Sequence, residues 1–440
     1  MSVEAVHTQC CVVGGGPAGV MLGYLLARSG VQVTILEKHK DFFRDFRGDT
    51  VHPSTLELLR ELGLLDAFLQ VPHQKVTSVA VNLAGESYEM ADFQDLHTYC
   101  RFALLIPQWD FLNFLTEQGR AFPGFDLRME HTAEALIESN GRVTGVRSKT
   151  PQGETEIRAD LVIACDGRHS LIRRCAQLAV KEFGVPIDVL WFRLPRERDT
   201  PEQVLGYVNY GKLLVLINRN TYYQAGFIIR KGSFDAIKER GLDALRQALV
   251  QIAPFLRDSV DELQDWEQVK LLSVQLNRLE RWYRPGLLCI GDAAHAMSPV
   301  FGVGINLAIQ DAVAAANILA RALRSGESTD RLLPLVQRDR ELRTRLTQRL
   351  QALAHRNFKY IFRPGPLHVS PLVKIILRTR VLQPVLLRVV GAGIVPERIA
   401  IPGVRTRPAH LLARRVGALA GATIALGFAY FLLARRRRPA

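Results

Sequence analysis

The pattern of apolar and polar positions in the first forty residues predicts a strand, a helix and a second strand. The apolar run QCCVV at 9–13 is typical of a short buried strand that leads into glycines. PAGVMLGYLLARSG at 17–30 has helical periodicity, with Pro17 in its first turn and Gly30 just past its end. VQVTILEKH at 31–39 predicts the second strand. This order indicates a parallel sheet covered by helices.

A second sheet is predicted further along the chain. Residues 76–92 and roughly 186–230 carry β-branched and aromatic residues between turn signals, which is typical of antiparallel strands. The stretches EIRADLVIACDG (156–167) and GLLCIGDAA (286–294) instead predict buried strands that return to the first sheet. The first domain is therefore expected to be discontinuous, with the second sheet inserted into it.

Helical patterns lie between and after these strands. Helices are predicted at 54–69, 108–119, 238–253 and 307–355. The first of them opens with Ser54 and Glu57, which have the spacing of a capping box.

Positive charge is concentrated in the C-terminal part of the chain. The protein has 440 residues and a formal net charge of +14. From Pro371 to Ala440 there are 13 Lys and Arg, and Glu397 is the one acidic residue. The preceding part is nearly neutral, which argues against a nucleic-acid partner. The six cysteines form no CxxC pair, so we expect free thiols in a reducing compartment and no metal site.

The stretch VGALAGATIALGFAYFLLA at 416–434 contains no charged residue and is flanked by arginines at 414–415 and 435–438. As a helix it would span about 28 Å, close to the thickness of a bilayer core. It predicts a C-terminal membrane anchor, with a buried or interfacial helix as the alternative. Upstream, residues 370–390 mix Leu, Val and Ile with Arg and Lys, as in segments that lie on a membrane surface. We expect the protein at the cytoplasmic face of a membrane or in the cytoplasm.

The glycines after the first strand follow the pattern G-x-G-x-x-G at Gly14, Gly16 and Gly19. The first permits a tight turn, the second lets a diphosphate approach the backbone, and the third lets helix and strand pack closely. The helix N-terminus offers unpaired N–H groups to the phosphates. Glu37 ends the second strand, where a carboxylate can accept hydrogen bonds from a ribose. This order predicts dinucleotide binding without distinguishing NAD from FAD.

Three more segments follow the glycine loop: RDFRGDTVHPSTLELL (44–59), CDGRHSLIRR (165–174) and GDAAHAMSPVFGVGINLAIQDA (291–312). With that loop, over about residues 8–355, the chain resembles the single-component (class A) flavin monooxygenases, the group of p-hydroxybenzoate hydroxylase and the ubiquinone-pathway hydroxylases. The resemblance implies an α/β fold with a discontinuous Rossmann-like FAD-binding domain. It also implies an inserted, mainly antiparallel β-sheet substrate domain and C-terminal helices.

The expected domain boundaries follow from these assignments. Residues 1–75, 101–182 and 271–355 are assigned to the FAD-binding domain, 76–100 and 183–270 to the substrate domain, 356–412 to a basic amphipathic C-terminal region, and 413–440 to the candidate anchor.

The resemblance assigns the FAD contacts residue by residue. Asp292 is expected at a hydroxyl of the ribityl or ribose chain, and Arg47 at the phosphates. The backbone at the start of the 305–322 helix is expected to face the pyrimidine edge of the flavin. The full set of expected cofactor-binding residues is Gly14, Gly16, Pro17, Ala18, Gly19, Glu37, Lys38, Arg47, Gln108, Asp166, Gly167, Arg173, Gly291, Asp292, Pro299, Gly302, Gly304, Ile305 and Asn306.

Two positions depart from the family pattern, which often has glycine and glutamine where this chain has Phe301 and Val303. Phe301 adds a bulky ring beside the expected flavin face, so we expect it to shape the pocket or limit flavin movement. His52 is a candidate catalytic residue near the flavin ring, and an ordinary loop histidine is the alternative.

The family chemistry implies an FAD-dependent monooxygenase that uses NADH or NADPH and O₂. Through a C4a-hydroperoxyflavin it would hydroxylate an aromatic, apolar small molecule. One alternative is an FAD-dependent reductase or dehydrogenase of the same superfold, such as a prenyl-chain reductase. Another is a non-catalytic flavin-binding membrane protein. Gly417 and Gly421 have a spacing suited to helix pairing, so a homodimer is left open.

Overall fold

The computed structural model describes residues 4–43, 50–196, 204–379 and 396–402, together with the positions Gln383, Leu387, Gly391, Gly393 and Val404. The predictions for Arg47 and for the segment 413–440 lie outside the described residues.

The strands of the described residues are β1 Glu4–Val13, β2 Val33–Leu36, β3 Thr50–Val51, β4 Gln74–Val76, β5 Ser78–Leu83, β6 Glu86–Asp92, β7 Ala103–Leu105, β8 Phe125–Arg128, β9 Thr132–Ser139, β10 Arg142–Thr150, β11 Gly153–Ala164, β12 Val180–Glu182, β13 Ile187–Pro195, β14 Val204–Asn209, β15 Lys212–Asn218, β16 Tyr222–Arg230, β17 Lys270–Leu272, β18 Asn277–Leu279, β19 Tyr283–Arg284 and β20 Leu287–Cys289. The α-helices are α1 Pro17–Arg28, α2 Pro53–Glu61, α3 Leu65–Phe68, α4 Gln108–Gly119, α5 Leu171–Cys175, α6 Phe234–Glu239, α7 Leu242–Ile252, α8 Gly304–Arg324, α9 Leu333–Ile361 and α10 Pro371–Arg378.

The first sheet has the strand order β19-β20-β11-β1-β2-β8, and β10 and β9 continue from β11. Its five strands from β20 to β8 are parallel. Helix α1 connects β1 to β2, which confirms the predicted strand–helix–strand opening. Val12, Ile35 and Ile163 of the central strands are fully buried, because helices cover both faces of a parallel sheet.

The second sheet has the order β17-β13-β16-β15-β14-β5-β6, antiparallel except where β14 pairs with β5. This confirms the inserted, mainly antiparallel sheet. Alternate residues of β13 face opposite sides, as pleating requires. Leu190 and Phe192 join the core beneath α7, whereas Val189 and Trp191 lie in a cluster with Val300 of the first domain. One face of this sheet therefore lies against the loop that precedes α8.

Helix α8 is long and apolar enough to be considered as a membrane span. Among the described residues, the stretch Val300–Arg324 meets that criterion, but 83% of its most apolar window is buried inside the protein. It packs along α1 and behind the parallel sheet, so it is a core helix.

Helix α2 starts one residue earlier than its predicted capping box. Pro53 occupies the first helical position and His52 is the N-cap, so the prediction of a box from Ser54 and Glu57 was wrong. The Glu57 carboxylate instead accepts a hydrogen bond from the Tyr99 backbone at 2.7 Å. A proline suits the first helical position because that position has no intrahelical partner for an N–H group.

The chain returns to the first domain near its C-terminal end. Helix α9 continues to Ile361, past the boundary drawn at 355, and residues 396–402 form what we call the C-terminal strap. Ile399 and Ile401 of the strap are buried in the core of the first domain. Glu397 accepts a 2.8 Å hydrogen bond from Arg340, whose side chain is fully buried in α9. The strap is therefore part of the domain and not of a separate tail.

Because the C-terminal strap pairs with a buried arginine, a change at Glu397 should destabilise the protein. The variant Glu397→Gln removes one of the two carboxylates that pair with buried Arg340, while Asp311 stays in place. We expect the free energy of unfolding to fall by about 2 kcal/mol in a urea titration, as for the loss of one charged hydrogen bond. The matched control is Glu341→Gln on α9, because Glu341 pairs with Arg345, whose side chain is 51% exposed. Such a surface pair contributes about 1 kcal/mol or less. Equal losses in the two variants would contradict the assignment.

Candidate active site

The predicted motifs converge because their strands end side by side. In the register of the first sheet, Val13 pairs with Leu36 on one side and with Ala164 on the other, and Ala164 pairs with Cys289. The residues that follow these four positions therefore meet at the carboxyl edge of the sheet, where ligands bind in open parallel sheets.

Each glycine of the first loop has a different steric role. Gly14 has φ +106°, and a Cβ there would lie 2.5 Å from the Cys165 carbonyl oxygen. A Cβ at Gly19 would collide with the carbonyl oxygen of Gly14. A Cβ at Gly16 would meet nothing within 4 Å. Gly14 and Gly19 are thus required by packing, whereas Gly16 keeps open the space in front of the loop.

Glu37 shapes the same loop. Its carboxylate accepts hydrogen bonds from the backbone N–H groups of Gly15 and His39, each at 3.0 Å. Lys38 is exposed beside it, Pro17 occupies the first turn of α1, and Ala18 is buried against Gly291. The sequence placed Glu37 at a ribose, and the structure adds a contact that holds the turn.

Asp166 follows β11, and its carboxylate binds the backbone of the first turn of α5, whose N-cap is Ser170. One carboxylate oxygen accepts from the backbone N–H groups of Leu171 (2.8 Å) and Ile172 (3.2 Å). The other oxygen is buried and has no hydrogen-bond partner among the described residues, and burial raises the pKa of this carboxyl. Arg173 ties this turn to the next motif, because its guanidinium donates to the carbonyl oxygens of Arg168 (2.8 Å) and Ala293 (3.2 Å). Gly167, with φ +83°, makes the turn between them.

Asp292 lies at the mouth of the site, with its side chain 29% exposed and 3.4 Å from Arg168. The surroundings are basic. Burial lowers the pKa of His169, and the positive charges of Arg168, Arg173, Arg174 and Lys38 lower it further. This edge of the sheet therefore favours an anionic ligand.

A buried ionic network supports the Asp292 turn from behind. Asp311 accepts from the Gly291 backbone (3.0 Å), from His295 (2.6 Å) and from Arg340 (2.8 Å). Burial alone would raise the pKa of Asp311, but His295 and Arg340 outweigh it and lower the pKa to about 2. Sequence reasoning missed this network, although Asp311 is an isolated acid in an otherwise apolar helical stretch.

The loop before α8 completes the site. The Asn306 side chain accepts from the His52 backbone (2.9 Å) and the Thr55 hydroxyl (2.8 Å), and it donates to the Thr50 carbonyl (3.0 Å). A Cβ added at Gly302 would lie 3.7 Å from the His52 ring nitrogen Nε2. The structure therefore brings His52 to this loop, residues 298–303, which we call the flavin-side loop. His52 is buried at 2% exposure.

The remaining predicted residues divide into two groups. Pro299 precedes a short 3-10 turn, Ile305 is buried, and a Cβ at Gly304 would meet open space. Gln108 is the first residue of α4 and is half-buried, without a described contact to the other predicted residues. Gln108 therefore stays a prediction.

Three observations indicate that a dinucleotide cofactor such as FAD fits this site. The open space in front of Gly16 and Gly304 leaves room for a bound group. Helices α1 and α8 both begin without a side-chain cap, so their N–H groups are available to phosphates or to a ring edge. The buried oxygen of Asp166 that has no partner in the described part of the chain is available to a hydroxyl or a bound water.

A model of the FAD binding domain family matches residues 7–350 of the chain. The chain belongs to this family. Its sequence is 32% identical over 363 residues to 6-methylpretetramide 4-monooxygenase of Streptomyces rimosus, covering 80% of this chain and 85% of that protein.

Two solved structures share its fold. One is p-nitrophenol 4-monooxygenase from Pseudomonas putida, with a TM-score of 0.72, 21% identity, and coverage of 89% of this chain and 99% of that one. The other is anhydrotetracycline hydroxylase from Streptomyces rimosus, with a TM-score of 0.71, 21% identity, and coverage of 92% and 79%. At these identities the likeness establishes the fold alone.

The predicted membership in the class A flavin monooxygenases is confirmed. This protein is an FAD-dependent oxidoreductase of the aromatic monooxygenase type, with NAD(P)H as its reductant. The reductase and the non-catalytic flavoprotein are not favoured.

The steric roles of the glycines predict two different defects. Gly16→Ala adds a methyl group to open space at an extended backbone (φ −76°), so the protein without FAD should be as stable as the parent. FAD affinity should fall at least about tenfold in a fluorescence titration, because the methyl group occupies the diphosphate position. Gly19→Ala should instead lower the free energy of unfolding by about 2 kcal/mol. Normal FAD affinity in Gly16→Ala would refute the placement of the diphosphate.

Proposed function

We propose that this monooxygenase hydroxylates an apolar substrate with fused aromatic rings and a phenolic hydroxyl group. The observation that carries the proposal is the apolar contact between the second sheet and the flavin-side loop. Trp191 and Val215 of the sheet cluster with Val300, and Phe301 clusters with Met297. An apolar environment of this kind beside the ring end of FAD favours an apolar ring system over a small polar phenol. The names of the relatives add support, since one acts on 6-methylpretetramide and a solved neighbour on anhydrotetracycline.

The residues of the site would hold and use FAD in distinct ways. The N-terminus of α1 and Gly16 would hold the diphosphate, and Asp292 a hydroxyl of the ribityl or ribose chain. When bound, FAD accepts hydride from NAD(P)H and activates O₂ for transfer of one oxygen atom to an aromatic ring. The N-terminus of α8 would stabilise negative charge at the ring end. Phe301 and Val303 would exclude water from the reacting region, which limits wasteful breakdown of activated oxygen.

The reaction class is tested with the purified FAD-bound enzyme. We expect the bound oxidised flavin to absorb at about 450 nm. Fused-ring phenols such as naphthols should raise NAD(P)H consumption more than phenol does, and their products should carry one added oxygen atom derived from ¹⁸O₂. A product that forms equally well without O₂ would favour the reductase instead. A colourless protein that fails to bind added FAD would refute the proposal as a whole.

We also propose that residues 413–440 anchor the enzyme to the cytoplasmic face of a membrane. The uncharged stretch 416–434 and its flanking arginines support this proposal. The outer surface of α10 supports it as well. On its inner side, Lys374 pairs with Glu86 of β6 at 2.5 Å. The apolar side chain of Ile375 is 57% exposed, so it is available to a membrane surface. A membrane location suits an apolar substrate, because such compounds concentrate in the bilayer.

Removing residues 413–440 should move the protein from the membrane to the soluble fraction. This truncation keeps the C-terminal strap, so FAD content and stability should match those of the full chain. A matched control of full length replaces 416–434 by Gly and Ser and should behave like the truncated protein. If the full chain is released from membranes by carbonate washing, or if truncation leaves it there, the anchor is refuted.

A further inference from the structure

Helix α9 buries a row of polar side chains where a core helix usually buries apolar ones. The row has helical spacing. Its first member, Arg340, binds α8 and the strap, and the members from Gln348 onward face β18 and the flavin-side loop. Its members, all less than 5% exposed, are Arg340, Thr344, Gln348, Gln351 and His355. Buried polar groups are costly unless they are hydrogen-bonded, so each position requires a partner that explains it.

Gln351 has such partners in the loop before α8. Its amide oxygen accepts from the Ser298 backbone N–H at 3.1 Å. Its amide nitrogen donates to the carbonyl oxygens of Ser298 and Val300, each at 2.9 Å. His355, one turn further along α9, lies 2.9 Å from the Ser298 hydroxyl through Nε2. One side chain of α9 thus binds the loop backbone through three hydrogen bonds.

The next residue of the loop has an unfavourable backbone conformation. Phe301 has φ +72° and ψ −1°, in the left-handed region that residues with a Cβ rarely adopt. Gly302 follows with φ +62°. Such a conformation persists only where neighbouring contacts enforce it. The residue before Phe301 in the chain is Val300, whose carbonyl accepts from Gln351. Three residues after Phe301, Gly304 begins α8.

We propose that Gln351 is a positioning residue for the flavin-side loop. By fixing the backbone at Ser298 and Val300, it holds Phe301 in its left-handed conformation and sets where the N-terminus of α8 lies relative to the ring end of FAD. Gln351 itself stands behind the loop and touches neither substrate nor cofactor in this assignment. The proposal rests on the FAD-dependent function, and it adds that α9 controls the flavin environment.

The test uses Gln351→Met in the full-length FAD-bound enzyme, because Met keeps the length of the side chain and removes its hydrogen bonds. We expect FAD affinity to fall about tenfold, as for the loss of one or two buried hydrogen bonds. The flavin reduction potential should become more negative, since a displaced α8 stabilises the reduced ring less well. The fraction of NAD(P)H oxidation that ends as hydrogen peroxide should rise.

Gln348→Met is the matched control. Gln348 lies in the same buried row but donates chiefly to the Asn277 carbonyl at 2.7 Å, in β18. It should lower thermal stability about as much as Gln351→Met while leaving the reduction potential unchanged. Gln351→Glu is a second variant that keeps one acceptor and turns a carboxylate toward two carbonyl oxygens. It should reproduce the shift in potential.

Phe301→Gly supplies an independent measurement. Glycine adopts the left-handed conformation without cost, so the loop should need Gln351 less. In this background, Gln351→Met should change the potential and the FAD affinity less than it does in the parent. Equal effects in both backgrounds, or the same potential for the 351 and 348 variants, would overturn the proposal. If the parent enzyme itself bound no FAD, the function and not the role of Gln351 would have failed.

Discussion

The buried carboxylate of Asp311 is the contact on which the geometry of the site depends. It lies in α8 and joins three other parts of the chain: the turn after β20 through Gly291, the strand–helix connection through His295, and α9 through Arg340. Arg340 in turn pairs with Glu397 of the C-terminal strap. A charge with no exposed surface must be matched by its partners, so these segments are held in one arrangement.

The carboxyl edge of the parallel sheet gains its function from this arrangement. Leu36, Val13, Ala164 and Cys289 end in one row, so the glycine loop, Glu37, Asp166 and the Asp292 turn begin beside one another. Parallel pairing brings the motifs to one edge of the sheet, and the buried network around Asp311 holds the Asp292 turn in position. The uncapped start of α1 and the basic mouth around Arg168 then make this edge suitable for a diphosphate.

At the ring end of the site, the chain departs from the usual family pattern and maintains a strained backbone. Phe301 occupies a position where the family often has glycine, and its φ is positive. Its ring packs against Met297 and Val303. The polar row of α9 supports the loop from behind, while Asn306 and the His52 turn support it from the other side. A loop held on both sides keeps a defined position, which suits an enzyme that must keep water away from activated oxygen.

Local patterns in the sequence determined the elements and the chemistry of the nucleotide site. The glycine spacing, the proline at the start of α1 and the β-branched and aromatic residues of the second sheet are local features, so they predicted the α/β architecture and a dinucleotide site. The choice of FAD over NAD came from the resemblance to the class A flavin monooxygenases. The start of α2 was misassigned because Pro53 competes with Ser54 for the helix terminus.

Only the tertiary structure decided which polar groups are buried together. Three such contacts join residues far apart in the chain, so no local pattern specifies them: Asp311 with Arg340, Glu397 with Arg340, and Gln351 with Ser298. The same holds for Phe301, whose backbone conformation opposes the preference of its own side chain and exists because distant partners enforce it.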